Sequence, residues 1–252
     1  MKNLNSITML LALLTVLMGC KKETPACTFV FSEWAACDNG IQTRTYTSSP
    51  TGCAGAPPSD SIQRPCVILP SVQIGNQIWT IENLDTANYR NGDPIPQVQD
   101  VIAWSILTTG AWCYYENKTA NGTAYGRLYN CYAVNDARGL APNGYHIPTD
   151  KEWTTLTDYL GGESAAGIKM KSISGWQNNG NGTNTSGFSG LSGGFRDYYG
   201  NFNSIGANGY WWSSTEYDFN FAWYRFMGHN NGNVSRSYSN NRFGFSVRCV
   251  KD

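Results

Sequence analysis

The feature that most constrains this chain of 252 residues is its last third, where no stretch after Gly175 has a helical period. Turn formers separate short aromatic runs there, as in Gly187-Phe-Ser-Gly190 and Gly209-Tyr-Trp-Trp-Ser213. Turn formers at this density favour short strands joined by turns, because Gly and Asn adopt backbone conformations that other residues resist. The sequence therefore predicts a loop-rich aromatic surface in this region, which suits binding better than catalysis.

The first twenty residues have the features of an export signal. Lys2 precedes an apolar run from Ile7 to Met18, shorter than the roughly 20 residues that a spanning helix needs. The run ends in Leu17-Met-Gly-Cys20, which resembles the bacterial lipobox. The resemblance implies cleavage before Cys20 and acylation of that residue, which holds a protein on a membrane. The alternative is an ordinary signal peptide with a coincidental cysteine.

Residues 21–26 then form a short polar tether, and we expect a lipid-anchored protein of the cell envelope, at the outer membrane surface of a Gram-negative bacterium. The chain has 18 Lys and Arg against 18 Asp and Glu, so nucleic acid is not an expected partner. Charged residues make up 14% of the chain and aromatic residues 13%, as in exported proteins rich in strands or loops. The eight cysteines fit an oxidising compartment.

Residues 27–66 read as a small disulfide module, because a unit of this size cannot close a sufficient apolar core alone. Its four cysteines allow three connectivities, of which we favour Cys27–Cys53 with Cys37–Cys66. The run from Trp34 to Arg44, with Gln63-Arg-Pro-Cys66, resembles the thrombospondin type 1 repeat. The resemblance implies an elongated module in which Arg44 stacks on Trp34. Two of that family's six cysteines are missing, so we interpret the module as a truncated spacer rather than an independent binding module.

Residues 67–252 form the large domain. Val72 to Trp79 alternates around Gly75-Asn76 and predicts a hairpin with a two-residue turn. A short helix is expected between Asp100 and Leu107. The main helix should follow Thr149, whose spacing to Glu152 is that of a capping box, and should stop at Gly161. A second helix is predicted around residues 164–171.

Several motifs of this domain occur in the order typical of one family. They are Tyr125-Gly-Arg-Leu-Tyr-Asn130, Ala141-Pro-Asn-Gly-Tyr-His146, Gly194-Phe-Arg196, Trp211-Trp-Ser-Ser-Thr215 and Ser246-Val-Arg-Cys249. They resemble the Fibrobacter succinogenes major paralogous domain, a family similar to the C-type lectin-like superfamily that also contains sulfatase-modifying enzymes. The resemblance implies an α+β fold with two helices, a small twisted antiparallel sheet and a long irregular loop region. It also implies a Cys113–Cys249 disulfide, and leaves Cys131 buried and unpaired or in a swapped pairing.

The sequence predicts no catalytic residue, no metal site and no cofactor. Gly190-Leu-Ser-Gly-Gly194 matches a nucleophile motif but lacks the helix that should follow it. The carboxylate motifs of calcium-dependent lectins are missing, and His146 reads as a structural residue at the start of the main helix. An enzyme of the sulfatase-modifying type is a weak alternative, since a reactive cysteine pair is lacking.

The segment 213–243 remains as the candidate binding face, because Tyr, Trp, Asn, Ser and Arg dominate known binding surfaces. We expect non-catalytic binding of an extracellular glycan or protein. The alternatives are solvated loop residues on a structural or assembly component of the cell envelope. The candidate ligand-binding residues are Trp212, Tyr217, Asn220, Trp223, Arg225, His229, Asn231, Arg236, Tyr238 and Arg242.

Overall fold

The computed structural model describes residues 25–35, 38 and 40–252, so the predicted lipidation site Cys20 lies outside the described residues. The described chain is a mixed α+β protein in which strands outnumber helices. Its described residues divide into two compact units: those up to Trp34 with Arg44–Ile62, and those from Ala35 to Thr43 with Gln63–Asp252. No helix in the described ranges is long and apolar enough to cross a membrane. The domain limits drawn from the sequence stay a prediction.

The elements are numbered in chain order. The strands are β1 (Thr28–Phe31), β2 (Ile41–Thr43), β3 (Tyr46–Ser49), β4 (Gln63–Pro65), β5 (Ser71–Ile74), β6 (Gln77–Thr80), β7 (Trp112–Cys113), β8 (Leu128–Tyr129), β9 (Tyr145–His146), β10 (Gly193–Arg196), β11 (Phe202–Ile205), β12 (Asn208–Asp218), β13 (Phe221–Gly228), β14 (Ser235–Asn240) and β15 (Val250–Lys251). The α-helices are α1 (Val101–Ser105), α2 (Thr119–Tyr125), α3 (Cys131–Val134), α4 (Asp150–Tyr159) and α5 (Glu163–Met170).

In the smaller unit, β1 pairs with β3, and a disulfide joins Cys27 to Cys53, as predicted. The Arg44 guanidinium lies 4.4 Å from the ring centroid of Trp34, which confirms the predicted stack. In the larger unit, Cys66 is disulfide-bonded. Cys37 lies outside the described residues, so the pairing of these two cysteines stays a prediction.

The predicted helices and hairpin of the larger unit are confirmed. Thr149 caps α4 in a complete capping box with Glu152, and the helix gives way to Gly161, whose φ is +104°. Trp153 of this helix is fully buried, with its ring centroid 4.7 Å from that of Trp79. Strands β5 and β6 form the predicted hairpin, and β6 continues into a four-stranded sheet of order β5-β6-β15-β9.

The largest sheet has five strands in the order β11-β10-β12-β13-β14. Its β10–β12 pair is parallel, whereas a purely antiparallel sheet was predicted. Strands β12, β13 and β14 occupy most of this segment, so the long irregular loop region that the family resemblance implied is wrong, whereas the strands joined by turns that the turn formers predicted are present. The reason lies in β13, Phe221 to Gly228, which packs on apolar side chains on both faces and therefore lacks the period-two pattern of a half-buried strand.

The predicted Cys113–Cys249 disulfide is wrong, because both thiols are free and fully buried. Cys113 packs in a cluster with Trp104 and Leu128, whereas Cys249 packs in the cluster that surrounds Trp212. Each thiol fills apolar space as a small hydrophobic group. Burial raises the pKa of both Cys113 and Cys249 to about 12. Cys131 is also buried and unpaired, as predicted.

Candidate functional site

Side chains of β12, β13 and β14 alternate between two faces of the five-stranded sheet. On one face, the α4 face, Arg225 of β13 lies opposite Trp211 and Arg236, and it donates a hydrogen bond of 2.6 Å to Asp150 of α4. On the opposite face, Tyr224 lies opposite Trp212 and Ser237. This second face packs on the apolar cluster that contains α3 residues, and we call it the α3 face.

The α4 face continues beyond the helix as a surface group of side chains, the hairpin patch, which consists of exposed Tyr217, Arg236 and Tyr238 and half-buried Trp223. The rings of Tyr217 and Tyr238 are stacked with centroids 4.0 Å apart and planes 3° apart. Each is nearly half exposed, at 49% and 46%. Trp223 meets both tyrosine rings edge to face, with centroids 5.2 and 5.7 Å away. Four of the ten predicted residues therefore lie together, and they do so through ring contacts.

Ion pairs connect the hairpin patch to the first turn of α4. The Arg236 guanidinium lies 3.4 Å from the ring centroid of Trp223 and donates bidentately to the Asp150 carboxylate. Arg225, which is buried, donates to the same carboxylate. Burial acts to raise the pKa of Asp150, but the hydrogen bonds from Arg236 and Arg225 lower it by more, so the net pKa lies below its ordinary value. These contacts fix the rings before any ligand arrives.

Two predicted contact residues are corrected, because they belong to the core. Trp212 is fully buried, points to the α3 face, and donates its indole N–H to the carbonyl of Tyr129. Arg225 is 1% exposed and acts through Asp150 rather than on a ligand. Sequence alone placed both in a loop, where their side chains would have been accessible.

The other predicted residues lie apart from the patch. Asn220 is at the tip of the β12–β13 hairpin, where the Asp218 carboxylate accepts its backbone N–H. His229 and Asn231 lie in the turn at the opposite end of β13, where the Asn231 carbonyl accepts a hydrogen bond from buried Lys171. Arg242 donates to the Ser105 carbonyl beside α1. The prediction that they form one face with the patch is therefore wrong for His229, Asn231 and Arg242, whereas Asn220 lies at the tip of the hairpin that carries Tyr217 and Trp223.

The α3 face carries aromatic residues that the sequence analysis did not select. Five half-buried rings touch in a row, which we call the aromatic strip: Phe243, Phe195, Tyr210, Tyr224 and Phe226. Beside it, β14 presents Ser235, Ser237 and Ser239 to the same face, here called the serine row. A sequence signal for this arrangement exists. From Ser235 to Asn240, β14 has serine at every second position, which indicates a strand with two unlike faces.

The motif arginines Arg196 and Arg248 are structural. Arg196 is fully buried and donates to the carbonyls of Val98, Gln99 and Gly200. Arg248 is fully buried as well, and its guanidinium donates to the carbonyls of Thr80, Phe188 and Ser189. Each arginine joins segments distant in sequence through backbone oxygens.

His146 lies between two carboxylates at the start of α4. Its Nε2 is 2.8 Å from Glu152 and its Nδ1 is 2.8 Å from Asp252. Burial acts to lower the pKa of His146, but the hydrogen bonds to Asp252 and Glu152 raise it by more, so the net pKa is raised. Its contacts connect β9 and α4, which supports the structural role expected for it. In the described part of the chain, no group of three or more His, Cys, Asp or Glu side chains is placed to hold a metal ion.

Two clefts, of about 370 and 430 Å³, lie on either side of Glu82 and Asp85, away from the hairpin patch. Asn83 lines both, and its amide already bonds to the indole of Trp211 and the guanidinium of Arg248. This polar side chain is therefore committed to the core. We place the candidate site on the strands instead, where the side chains are exposed and held in position.

These features define a class of protein: a strand-rich α+β domain whose central sheet carries a structured surface on each face. The sequence model of the Fibrobacter succinogenes major domain matches residues 72–251. The chain therefore belongs to the Fibrobacter succinogenes major domain family. No curated protein and no solved structure matches it.

Proposed function

We propose that this chain is a non-catalytic binding protein that contacts an extracellular ligand through the hairpin patch. The observation that carries the proposal is the stacked pair of Tyr217 and Tyr238, exposed yet fixed through Trp223, Arg236 and Asp150. Rings that are ordered in the free protein lose little conformational entropy on binding. The patch therefore offers amphipathic contact area at low cost.

Of the two ligand classes expected from the sequence, the surface favours a protein. Phe219, in the turn at the tip of the β12–β13 hairpin, is 84% exposed. A phenyl ring exposed at the tip of a hairpin can enter an apolar pocket of a partner protein. Tyr, Trp and Arg, which form the patch behind it, are the side chains that most often dominate the energy of protein interfaces.

The location and the wider relationships are part of the same proposal. We propose that Cys20 carries the lipid that anchors the protein in the cell envelope, on the support of the lipobox sequence. We also propose that residues 27–66 act as a spacer related to the thrombospondin type 1 repeat, supported by the Cys27–Cys53 disulfide and the stack of Arg44 on Trp34. A C-type lectin-like fold for the large domain is proposed from the family motifs.

The test is a binding screen with the mature full-length protein against a panel of extracellular and envelope proteins and a glycan array. A Tyr217→Ala/Tyr238→Ala variant should lose at least about tenfold in affinity for any binder, as expected for hot-spot tyrosines. Tyr159→Ala is the matched control, because Tyr159 is a 66% exposed tyrosine near the far end of α4. Undiminished binding by the double variant, or no binder in the whole panel, overturns the proposal.

A further inference from the structure

The α3 face is a second surface whose chemistry differs from that of the hairpin patch. The ring centroids of Phe195 and Tyr210 lie 4.8 Å apart, and those of Tyr210 and Phe226 lie 5.7 Å apart. Tyr210 also contacts Phe245, which is 1% exposed and belongs to the core cluster beneath. The half-buried rings are therefore fixed by the core on one side and meet solvent on the other.

The serine row gives this surface its shape. Across the β13–β14 pair, Tyr224 lies opposite Ser237 and Phe226 lies opposite Ser235. Two large rings thus stand beside two of the smallest polar side chains, so the surface steps down from β13 to β14. Because β14 is the last strand of the five-stranded sheet, this shelf is open along its outer edge. An extended chain can lie on the serine row with its side against the rings.

The polar groups of the shelf are hydroxyls and one amide. Tyr210 accepts a hydrogen bond of 2.9 Å from the Asn208 amide, and Ser237 lies directly opposite Tyr224 on the neighbouring strand. The side chains of the strip and the serine row are uncharged, and Glu216, which lies opposite Ala222 on the same face, accepts a hydrogen bond from the Asn135 amide beside α3. The α4 face of the same strands carries Arg225 and Arg236 against Asp150. The shelf is thus complementary to an uncharged ligand.

We propose that the aromatic strip and the serine row bind an internal segment of an uncharged polysaccharide. The C–H faces of sugar rings stack on aromatic rings, and sugar hydroxyls exchange hydrogen bonds with Ser and Tyr hydroxyls. A neutral sugar chain binds to this surface without removing an ionised group from water. A charged ligand would have to bury its charge there without a partner, which costs free energy. The unpaired edge of β14 leaves one side of a chain bound along the serine row open to solvent.

The proposal is independent of the ligand of the hairpin patch, since the two surfaces lie on opposite faces of the sheet. The test is affinity electrophoresis of the mature full-length protein in gels that contain mixed-linkage β-glucan, xyloglucan, galactomannan or starch, with polygalacturonate as the charged comparison. We expect retardation by at least one of the neutral polymers. Retardation by none of them, or by polygalacturonate alone, overturns the proposal.

Two variants locate the site. Ser237→Arg fills the shelf and adds a charge without removing core contacts, and Phe226→Ala removes a ring of the strip. Each should weaken retardation at least about tenfold, as loss of a central contact does. Tyr238→Ala, on the next residue of the same strand and the opposite face, is the matched control and should stay within about twofold of the wild type.

Equal loss in Tyr238→Ala and Ser237→Arg, or unchanged binding by Ser237→Arg, contradicts the assignment. Near-ultraviolet circular dichroism checks that Ser237→Arg is folded.

Discussion

The two faces of strands β12–β14 differ in charge and in what supports them. The hairpin patch on the α4 face stands on ion pairs, because Asp150 binds both Arg225 and Arg236. The aromatic strip on the α3 face stands on the apolar core and carries no ionised group. Ser237 and Tyr238 are neighbours in sequence but belong to different surfaces. A binding surface of this domain is therefore one set of alternate residues rather than a continuous segment.

The largest effect on stability should come from a substitution that removes the ion pairs supporting the hairpin patch and leaves the α3 face unchanged. Asp150→Ala removes the carboxylate that pairs with Arg225, whose side chain is 1% exposed, and leaves an uncompensated buried cation. We expect a loss of about 3 kcal/mol in the free energy of unfolding, measured by urea denaturation. Binding through the hairpin patch should fall as well, because Arg236 loses its anchor.

Asp158→Ala is the control for this substitution, because it removes an exposed carboxylate from the same helix. It should change the free energy of unfolding by less than about 0.5 kcal/mol. If Asp150→Ala proved as mild as Asp158→Ala, the ion pairs would not support the α4 face, and the contrast between the two faces would fail.

The next largest effect should come from truncating single aromatic rings, which should lower the free energy of unfolding more on the α3 face than on the α4 face. Tyr224 packs against Phe245 and Trp212 in the core, with centroids 4.8 and 6.2 Å away. Tyr224→Ala should therefore lower the free energy of unfolding by about 2 kcal/mol, part of the cost of deleting a fully buried ring. Tyr238→Ala, on the exposed patch, should cost less than about 1 kcal/mol. Equal losses in the two variants would mean that the patch is as much a part of the core as the strip.

Smaller still is the pH dependence at the start of α4, where His146 of β9 lies between two carboxylates. Because the pKa of His146 is raised in the folded protein, its contacts with Asp252 and Glu152 are fully present below the ordinary value of about 6.5 and are lost as the pH rises through the raised value. The wild type should therefore lose more thermal stability than His146→Gln between about pH 6 and about pH 9, since glutamine does not titrate. Parallel melting curves over this range would refute the role of the imidazole.

The last prediction concerns the reactivity of the three free thiols, which are buried in the core. Cys113, Cys131 and Cys249 should resist iodoacetamide in the native protein, because burial raises their pKa and blocks access. All three should be alkylated in denaturant without prior reduction, as peptide mass mapping would show. A linked peptide containing Cys113 and Cys249 would restore the pairing that the structure contradicts.

Local patterns predicted local structure well. The spacing of Thr149 and Glu152 placed the start of α4, because a capping box acts within one turn. The Gly75-Asn76 pair placed the β5–β6 hairpin, since the turn sets the register of the strands next to it. The Cys27–Cys53 disulfide was also predicted, within a module in which few pairings are possible.

The candidate site was predicted only in part, because burial depends on partners distant in sequence. Trp212 and Arg225 have the same residue types as true contact residues, and only packing against Phe245 and Asp150 shows that they are internal. The aromatic strip was missed for the same reason. Phe195, Tyr210 and Phe243 come from three separate segments that meet across the sheet.

By itself the sequence determined the family, the α+β composition, the capped helix, the hairpin and the wealth of aromatic residues in the last third. These follow from motifs and from interactions between residues a few positions apart. Only the tertiary structure decided that this last third is a regular sheet, that two of its expected contact residues are buried, and that its exposed rings form two surfaces. The reason is physical: alternation assigns side chains to two faces, but what covers each face is supplied by other parts of the chain.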